Sequence, residues 1–194
     1  VKLTAFTGRT RNEMAYYASS VEDIRRDPRD NPLAEDDDYR TSLVSLAWAR
    51  ALGTDASLQT TAYHVDFGGA YDVAWEGDLY SYGLASRLTG AFATWSERLG
   101  AGALDVGAHG NTYRRDHDAA MYPDVDAKFY ENQGRKNEGS AFAKANVELG
   151  RVTLYGDVQA RRATFRYLPS ENAGIDPLSV AWNFVNPKAG LRVQ

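Results

Sequence analysis

Side chains that could carry out chemistry are few in this sequence and widely spaced. The three histidines, His64, His109 and His117, do not stand at the spacings that place two imidazoles on one metal ion. Cysteine is absent, which excludes thiolate metal sites, disulfides and a cysteine nucleophile. No Gly-x-Ser-x-Gly nucleophile elbow occurs either. We therefore predict no enzyme activity, no metal site and no cofactor.

Two polar motifs resemble ligand sites but lack the required pattern. The run Glu35, Asp36, Asp37, Asp38 offers the carboxylate oxygens that Ca²⁺ prefers, but it lacks the glycine and the spacing of a calcium-binding loop. We interpret it as a solvated charge run. The segment GRKNEGS at 134–140 lacks the strand-to-helix context of a phosphate loop.

Aromatic residues are the best candidates for ligand contacts. The chain has 12 Tyr, 7 Phe and 4 Trp. An aromatic ring with a solvent-exposed polar edge can contact sugars, aromatic chelators and peptides alike. We predict that a small ligand is bound by rings in the long connections between strands, namely Tyr16, Tyr17, Tyr71, Trp75, Tyr122, Phe129 and Tyr130.

Charge and hydropathy narrow the class of protein. The net charge is −4 and the 22 basic residues are scattered, so we expect no nucleic-acid partner. No apolar run approaches the ~18 residues of a transmembrane helix. Strands of a transmembrane barrel need only about 10 alternating residues each, so a membrane location stays open.

Alternating apolar and polar residues predict eight strands, at 1–7, 39–52, 57–67, 80–97, 103–114, 139–149, 151–167 and 181–193. One short helix is expected in SSVEDIRRD, capped by Ser19 or Ser20. In the alternating pattern of its strand, Trp95 falls at a position otherwise occupied by polar residues, which we attribute to a bulge or an early strand end. Pro187 interrupts the last strand, which predicts an edge position or a bulge.

The connections alternate in length. Those at 53–56, at 99–102 and at Leu149-Gly150 are tight, whereas those at 8–38, 68–79, 115–138 and 168–180 are long. This sorting is typical of an antiparallel transmembrane β-barrel with short periplasmic turns and long extracellular loops. We therefore predict an all-β fold that is a segment of such a barrel.

Aromatic residues near the strand ends predict two girdles of the barrel. Trp48 and Trp95 fall near the short turns, and the opposite girdle is expected to contain Phe67, Tyr80, Tyr82, Phe165, Tyr167, Trp182 and Phe184. The polar faces of the strands would line the lumen. We predict as lumen-facing the residues Arg87, Asp105, His109, Lys144, Asn146, Asp157, Gln159 and Arg161. These could pair with one another and with a plug domain, or contact substrate directly.

The order of several segments resembles the barrel of TonB-dependent outer-membrane receptors, especially their Bacteroidota-type branch. The segments are FTGRTRNEMAYYASSVEDIRRDPRDNP, AYHVDFGGAYD, YRRDHDAAMYP, FYENQGRKNEGSAFAKANVELGRVTLYGDVQARRATFRY and WNFVNPKAGL, and together they cover nearly the whole chain. The resemblance implies a barrel of about 22 strands that is closed by a plug domain. It also implies import of a scarce nutrient such as a siderophore, vitamin, saccharide or peptide across the outer membrane of a Gram-negative bacterium.

The resemblance implies several partners: outer-membrane lipid, the nutrient ligand, the TonB complex acting through the plug domain, and a surface lipoprotein. The sequence departs from the family because no plug domain and no terminal aromatic strand signature are found. We therefore expect residues 1–194 to be a portion of a longer receptor barrel. Two alternatives stay open. A self-contained eight-stranded outer-membrane barrel with a structural or adhesion role would pair its first and last strands, and a soluble β-sandwich would bury its apolar faces in a core.

Overall fold

A computed structural model describes residues 1–13, 16, 19–171 and 173–194. It consists of a single antiparallel sheet and one short helix. The elements are β1 (Lys2–Asn12), α1 (Val21–Arg26), β2 (Asp37–Leu52), β3 (Ala56–Trp75), β4 (Asp78–Leu99), β5 (Gly102–Met121), β6 (Asp124–Leu149), β7 (Val152–Leu168) and β8 (Leu178–Val193). Each strand pairs with its neighbours in chain order, and the predicted all-β fold of eight strands is confirmed.

Helix α1 begins at the predicted cap. The Ser20 side chain accepts a hydrogen bond from the backbone N–H of Asp23 at 3.1 Å. Acidic residues occupy the first turn and basic residues the last, which complements the helix dipole. Among the described residues, no helix is long and apolar enough to cross a membrane.

The segments 68–79 and 115–138, which we predicted as loops, are instead mostly strand. Strands β3 and β4 continue to a turn at Glu76-Gly77, and β5 and β6 continue to a turn at Tyr122-Pro123. The glycine pair in DFGGAYD lies within β3. A Cβ on Gly69 would lie 2.0 Å from the Asp38 carbonyl oxygen, so glycine here allows the close approach of β2.

The two faces of the sheet differ in exposure. Residues directly opposite each other on paired strands point to the same face. We define the shielded face by the row Asp105, Lys144, Asp157 and Lys188, and the exposed face by the adjacent row Val106, Ala143, Val158 and Pro187. Along β7 the burial alternates, with the Asp157 side chain 18% exposed and Val158 45% exposed.

The described part of the chain has almost no hydrophobic core. Its buried apolar residues are Ala119, Ala120 and Ala163, and no second layer packs on the sheet. The β-sandwich alternative is therefore wrong, because Val106 and Val158 remain exposed instead of meeting across a core. The closed eight-stranded barrel is also wrong, since β1 and β8 are the two edges of the described sheet and do not pair.

Strand register corrects two details of the prediction and confirms a third. Trp95 lies opposite Val106 on the exposed face without a bulge, because the apolar residues Leu84, Leu88 and Phe92 belong to the shielded face. Pro187 lies on the edge strand β8, as expected. The predicted upper girdle is wrong as a lipid-facing belt, because all of its members share the shielded face: Phe67, Tyr80, Tyr82, Phe165, Tyr167, Trp182 and Phe184.

Candidate ligand-binding site

Four rings form a continuous line across the shielded face, one on each of four neighbouring strands. We call Tyr71, Tyr82, His117 and Tyr130 the aromatic ladder. Ring centroids of Tyr71 and Tyr82 are 5.1 Å apart and nearly parallel at 15°. The centroid distance is 6.5 Å between Tyr82 and His117 and 5.4 Å between His117 and Tyr130. The ladder therefore presents a broad aromatic surface near the end of the sheet that carries the turns at Glu76-Gly77 and Tyr122-Pro123, which we call the long-hairpin end.

Strand register positions these rings. Tyr71 lies directly opposite Tyr82, so the two side chains share a face and stack across the strands. Ala119 stands between Tyr82 and Tyr130 in the same row and is 0% exposed. Its small side chain leaves room for the neighbouring rings to close over it.

Two further groups extend the ladder at its ends. Tyr16, from the segment between β1 and α1, packs against Tyr71 at 6.0 Å. Phe129 packs edge-on against Tyr130 at 5.4 Å, and Tyr80 packs against Phe129 at 6.1 Å. Four of the predicted ligand contacts, Tyr16, Tyr71, Phe129 and Tyr130, are thus brought together on one surface.

A buried carboxylate holds Tyr16 in place. Glu35 is 0% exposed, and its carboxylate accepts hydrogen bonds from the backbone N–H groups of Tyr16 at 2.5 Å and Ala74 at 3.0 Å. This joins the segment before β2 to the end of β3. Burial also raises the pKa of the Tyr16 hydroxyl, because the phenolate would be poorly solvated there.

The acidic run that begins at Glu35 is therefore not a solvated charge run, contrary to our interpretation. Glu35 is buried, and Asp37 is 7% exposed and accepts a hydrogen bond from the Asn12 amide at 2.8 Å. Asp38 is paired with Arg9. Within the described ranges, no group of three or more residues could hold a metal ion.

Polar groups accompany the ladder. The Tyr130 hydroxyl lies 3.1 Å from His117 Nδ1. Arg115 shares the shielded face two residues along β5 and acts electrostatically on Tyr39, Tyr71 and His117. No carboxylate forms an ion pair with Arg115 in the described part of the chain. The surface can therefore stack a flat ring or sugar, form hydrogen bonds and attract negative charge.

The other predicted contacts lie elsewhere. Trp75 stands beside the β3–β4 turn, 57% exposed, in a hollow of about 660 Å³ with Pro32 and Leu33. Tyr122 does not join the ladder, because its hydroxyl donates to Asp72 Oδ2 at 2.6 Å on the exposed-face side. This bond raises the pKa of Tyr122 to about 12. Tyr17 lies outside the described residues.

Sequence reasoning missed Tyr82 and His117 as members of the site. Tyr82 was assigned to a girdle, and His117 was considered only as a metal ligand. A signal was available, because Tyr71 and Tyr82 are equidistant from the Glu76-Gly77 turn, and a two-residue hairpin turn would have placed them opposite each other.

Seven of the eight residues predicted to line the lumen share the shielded face: Asp105, His109, Lys144, Asn146, Asp157, Gln159 and Arg161. The placement of Arg87 with them is wrong. Arg87 lies opposite Arg114, on the exposed face, whereas Asp105 lies opposite Ser96. The alternation of β4 was misread because leucines occupy its shielded face.

Several of these polar residues pair with neighbours on the same face. Arg161 contacts Glu138 at 2.7 Å, and Lys136 contacts the same carboxylate at 3.0 Å. The Tyr63 hydroxyl lies 2.8 Å from His109 Nε2. The Lys188 ammonium lies 4.0 Å from Asp157. The wall below the ladder is thus a network of mixed charge.

Long antiparallel strands whose exposed face is mainly apolar toward the β4–β5 and β6–β7 turns, and whose opposite face is polar and aromatic, define an antiparallel transmembrane β-barrel segment of the outer-membrane class. No protein-family model matches the sequence. No curated protein matches it either. Solved structures, however, share its fold.

The unliganded ferric citrate transporter FecA superposes with a TM-score of 0.72 at 10% identity, covering 90% of this chain and 28% of that chain. The closed form of the ferric-catecholate import receptor Fiu from E. coli K12 gives 0.63 at 11% identity, covering 97% of this chain and 38% of the other. The copper transporter OprC gives 0.62 at 11% identity, covering 81% and 28%.

These neighbours are TonB-dependent receptors, so the chain has the fold of their barrel, and the predicted resemblance is confirmed at the level of fold. The assignment to the Bacteroidota-type branch stays a prediction. The chain spans 28% to 38% of the length of these three chains.

Proposed function

We propose that this chain forms part of the barrel wall of an outer-membrane receptor of a Gram-negative bacterium that imports a scarce nutrient. The observation that carries the proposal is the inverted distribution of polarity. The carboxylates of Glu138 and Asp157 are 14% and 18% exposed, whereas Leu154 and Val158 are 42% and 45% exposed. In a water-soluble protein the charged side chains would be the more exposed ones. In an outer-membrane barrel the apolar side chains face lipid and the polar ones face a water-filled lumen, as observed here.

The fold supports import rather than a structural role. The neighbours whose fold it shares are named as a ferric citrate transporter, a ferric-catecholate import receptor and a copper transporter. We infer that this protein likewise takes up a small ligand, of the siderophore, vitamin, saccharide or peptide class. Import would draw energy from the TonB complex through a plug domain, with a surface lipoprotein as a further partner.

The aromatic ladder is the proposed ligand contact. It lies on the shielded face near the long-hairpin end of the strands, where an incoming ligand would enter the lumen. The charged network around Glu138 and Asp157 would line the passage below it.

Paired cysteine variants test the orientation of the wall. The described chain contains no cysteine, so Val158→Cys and Gln159→Cys introduce single labels on opposite faces of one strand. In the full-length protein, freed of other cysteines and held in lipid vesicles, Val158→Cys should react with a lipid-soluble maleimide and resist a charged one. Gln159→Cys should show the reverse. Equal labelling of both sites by the charged reagent would contradict a membrane-spanning wall.

A nutrient panel tests import. A strain lacking the gene should lose growth on one limiting iron chelate, cobalamin, oligosaccharide or peptide, and the wild-type gene should restore it. The double variant Tyr71→Ala, Tyr130→Ala should restore growth poorly because the stacking surface is gone. Tyr113→Ala is the matched control, since Tyr113 shares the shielded face but lies outside the ladder. Full rescue of growth by the double variant would show that the aromatic ladder is not needed for ligand binding.

A further inference from the structure

Four arginines occupy one row across the exposed face. Arg87 lies directly opposite Arg114, Arg114 opposite Arg135, and Arg135 opposite Arg166, so β4, β5, β6 and β7 each contribute one guanidinium. We call these four residues the arginine row. At about 4.8 Å between strands, it extends across roughly 14 Å of the surface.

The row is only partly neutralised within the chain. Arg87 lies 3.4 Å from Asp66, and Arg114 lies 2.8 Å from Asp116. Arg135 contacts only the Gln133 side chain, and Arg166 has no hydrogen-bonded or ion-paired partner in the part of the chain that the structure describes. Like charges directly opposite each other on a sheet are destabilising, so the arrangement calls for an external anion.

The position of the row shows where that anion lies. On β5 the exposed-face positions from Leu104 to Thr112 are all uncharged, and Arg114 is the next residue on that face. On β7 one further arginine, Arg162, lies on the exposed face below the row and is hydrogen-bonded to Asn183. Nine residues at ~3.3 Å each, tilted by about 40°, span roughly 23 Å across a membrane, close to the height of the apolar band of an outer-membrane barrel. Arg114 therefore stands at the level of the lipid headgroups on the long-hairpin side, and the strand tilt places the other members of the row at neighbouring depths.

We propose that the arginine row binds the phosphate groups of anionic lipid headgroups that surround the barrel. Guanidinium groups bind phosphate oxygens in a bidentate manner, and neighbouring arginines can share one phosphate. The side chains of Arg87 and Arg114 are 74% and 50% exposed, so they are accessible from the lipid side. The inference rests on the proposed membrane location, but not on the import function.

Lipid titration tests the row. The full-length protein is purified in neutral detergent, stripped of lipid and titrated with mixed micelles containing phosphatidylglycerol, and bound lipid is counted by native mass spectrometry. Each arginine replaced should weaken binding about fivefold, so the double variant Arg114→Gln, Arg135→Gln should bind roughly 25-fold more weakly. The control Arg25→Gln, Arg26→Gln removes the same charge from α1, outside the sheet, and should bind like the wild type.

The effect of a substitution in the row on Tm should change sign when anionic lipid is added, which gives a second, independent test. Without anionic lipid, Arg135→Gln should leave Tm unchanged or raise it, because the variant relieves repulsion from Arg114 and Arg166. With phosphatidylglycerol, the same variant should have a lower Tm than the wild type. A variant that fails to insert is recognised separately by its mobility in gels with and without heating, and the single variant then replaces the double one.

Three results would overturn the inference. One is equal phosphatidylglycerol binding by the wild type and the double variant, and another is equal stabilisation by inorganic phosphate alone. The third is protection of the row through association of two copies in the absence of lipid. If Val158→Cys still faces lipid in any of these cases, the membrane location stands and only the headgroup site fails. If Val158→Cys does not face lipid, the proposed function itself fails.

Discussion

At the scale of single residues, Glu35 shows how a charge that looks solvated in sequence becomes structural. Its carboxylate is fully buried and accepts two backbone N–H groups that would otherwise be unpaired at the end of β3 and beside the ladder. It thereby links Tyr16 to the aromatic ladder. A buried carboxylate is tolerated because hydrogen bonds replace its hydration.

Replacing Glu35 with Gln should loosen this link. An amide offers one acceptor oxygen in place of two, so one backbone N–H loses its partner, at a cost of about 1.5–3 kcal/mol. Amide hydrogen exchange at Ala74 and Tyr16 should accelerate. Glu76→Gln, at the exposed β3–β4 turn, makes the same chemical change and should leave both exchange rates unaltered. Unchanged exchange in Glu35→Gln would show that the carboxylate does not hold the segment.

The hydrogen bond from Tyr122 to Asp72 predicts a pH dependence. The bond raises the pKa of Tyr122 from 10.0 to about 12. A raised folded-state pKa means that the stabilisation is complete below pH 10 and is lost as the pH rises to about 12. Ultraviolet titration of tyrosinate should show one fewer late-ionising tyrosine in Tyr122→Phe than in the wild type. An unchanged number of late-ionising tyrosines in the variant would show that the bond to Asp72 does not raise the pKa of Tyr122.

At the scale of elements, the long hairpins decide where side chains meet. The turns at Glu76-Gly77 and Tyr122-Pro123 let β3 to β6 run well beyond their predicted ends. This extension places Tyr71 against Tyr82 and His117 beside Tyr130. The rings are therefore held by paired backbone rather than by loops, which makes the surface more rigid than a loop site.

Gly90 in β4 allows a similar cross-strand contact lower on the shielded face. A Cβ there would lie 2.4 Å from the Tyr63 hydroxyl, which reaches across β4 to His109. Gly90→Ala should displace Tyr63, break this hydrogen bond and lower the free energy of unfolding by about 1 kcal/mol. Gly156→Ala is the control, because no atom lies within 4 Å of its Cβ, and it should be neutral or slightly stabilising. Chemical denaturation of both variants in the same detergent measures the two free energies of unfolding. Equal stability of the two would mean that the contact contributes nothing measurable.

At the scale of the whole molecule, the sheet has two distinct faces and two open edges. Both β1 and β8 present an unpaired edge within the described sheet, and an exposed apolar face of this extent is not stable in water. Further strands and a lipid environment would satisfy both requirements. The same arrangement gives the wall a polar inner side.

Arginine substitutions on adjacent residues test this orientation energetically. Val158→Arg should reduce the folded fraction in the outer membrane, because an arginine facing lipid near the bilayer midplane costs about 2–4 kcal/mol. Gln159→Arg, one residue away on the shielded face, should insert normally. Heat-dependent gel mobility of membrane fractions measures the folded fraction. Normal insertion of Val158→Arg together with failure of Gln159→Arg would reverse the assignment of the two faces.

The sequence by itself determined the local features: eight strands, the Ser20 cap of α1, and the alternation of polar and apolar residues in β5, β6 and β7. Tertiary structure decided the face of Arg87, the lengths of β3 to β6, and which rings and arginines share a row. The physical reason is register. Pairing a strand one residue differently moves every side chain to the other face, and that choice depends on hydrogen bonds to neighbouring strands that local sequence does not encode.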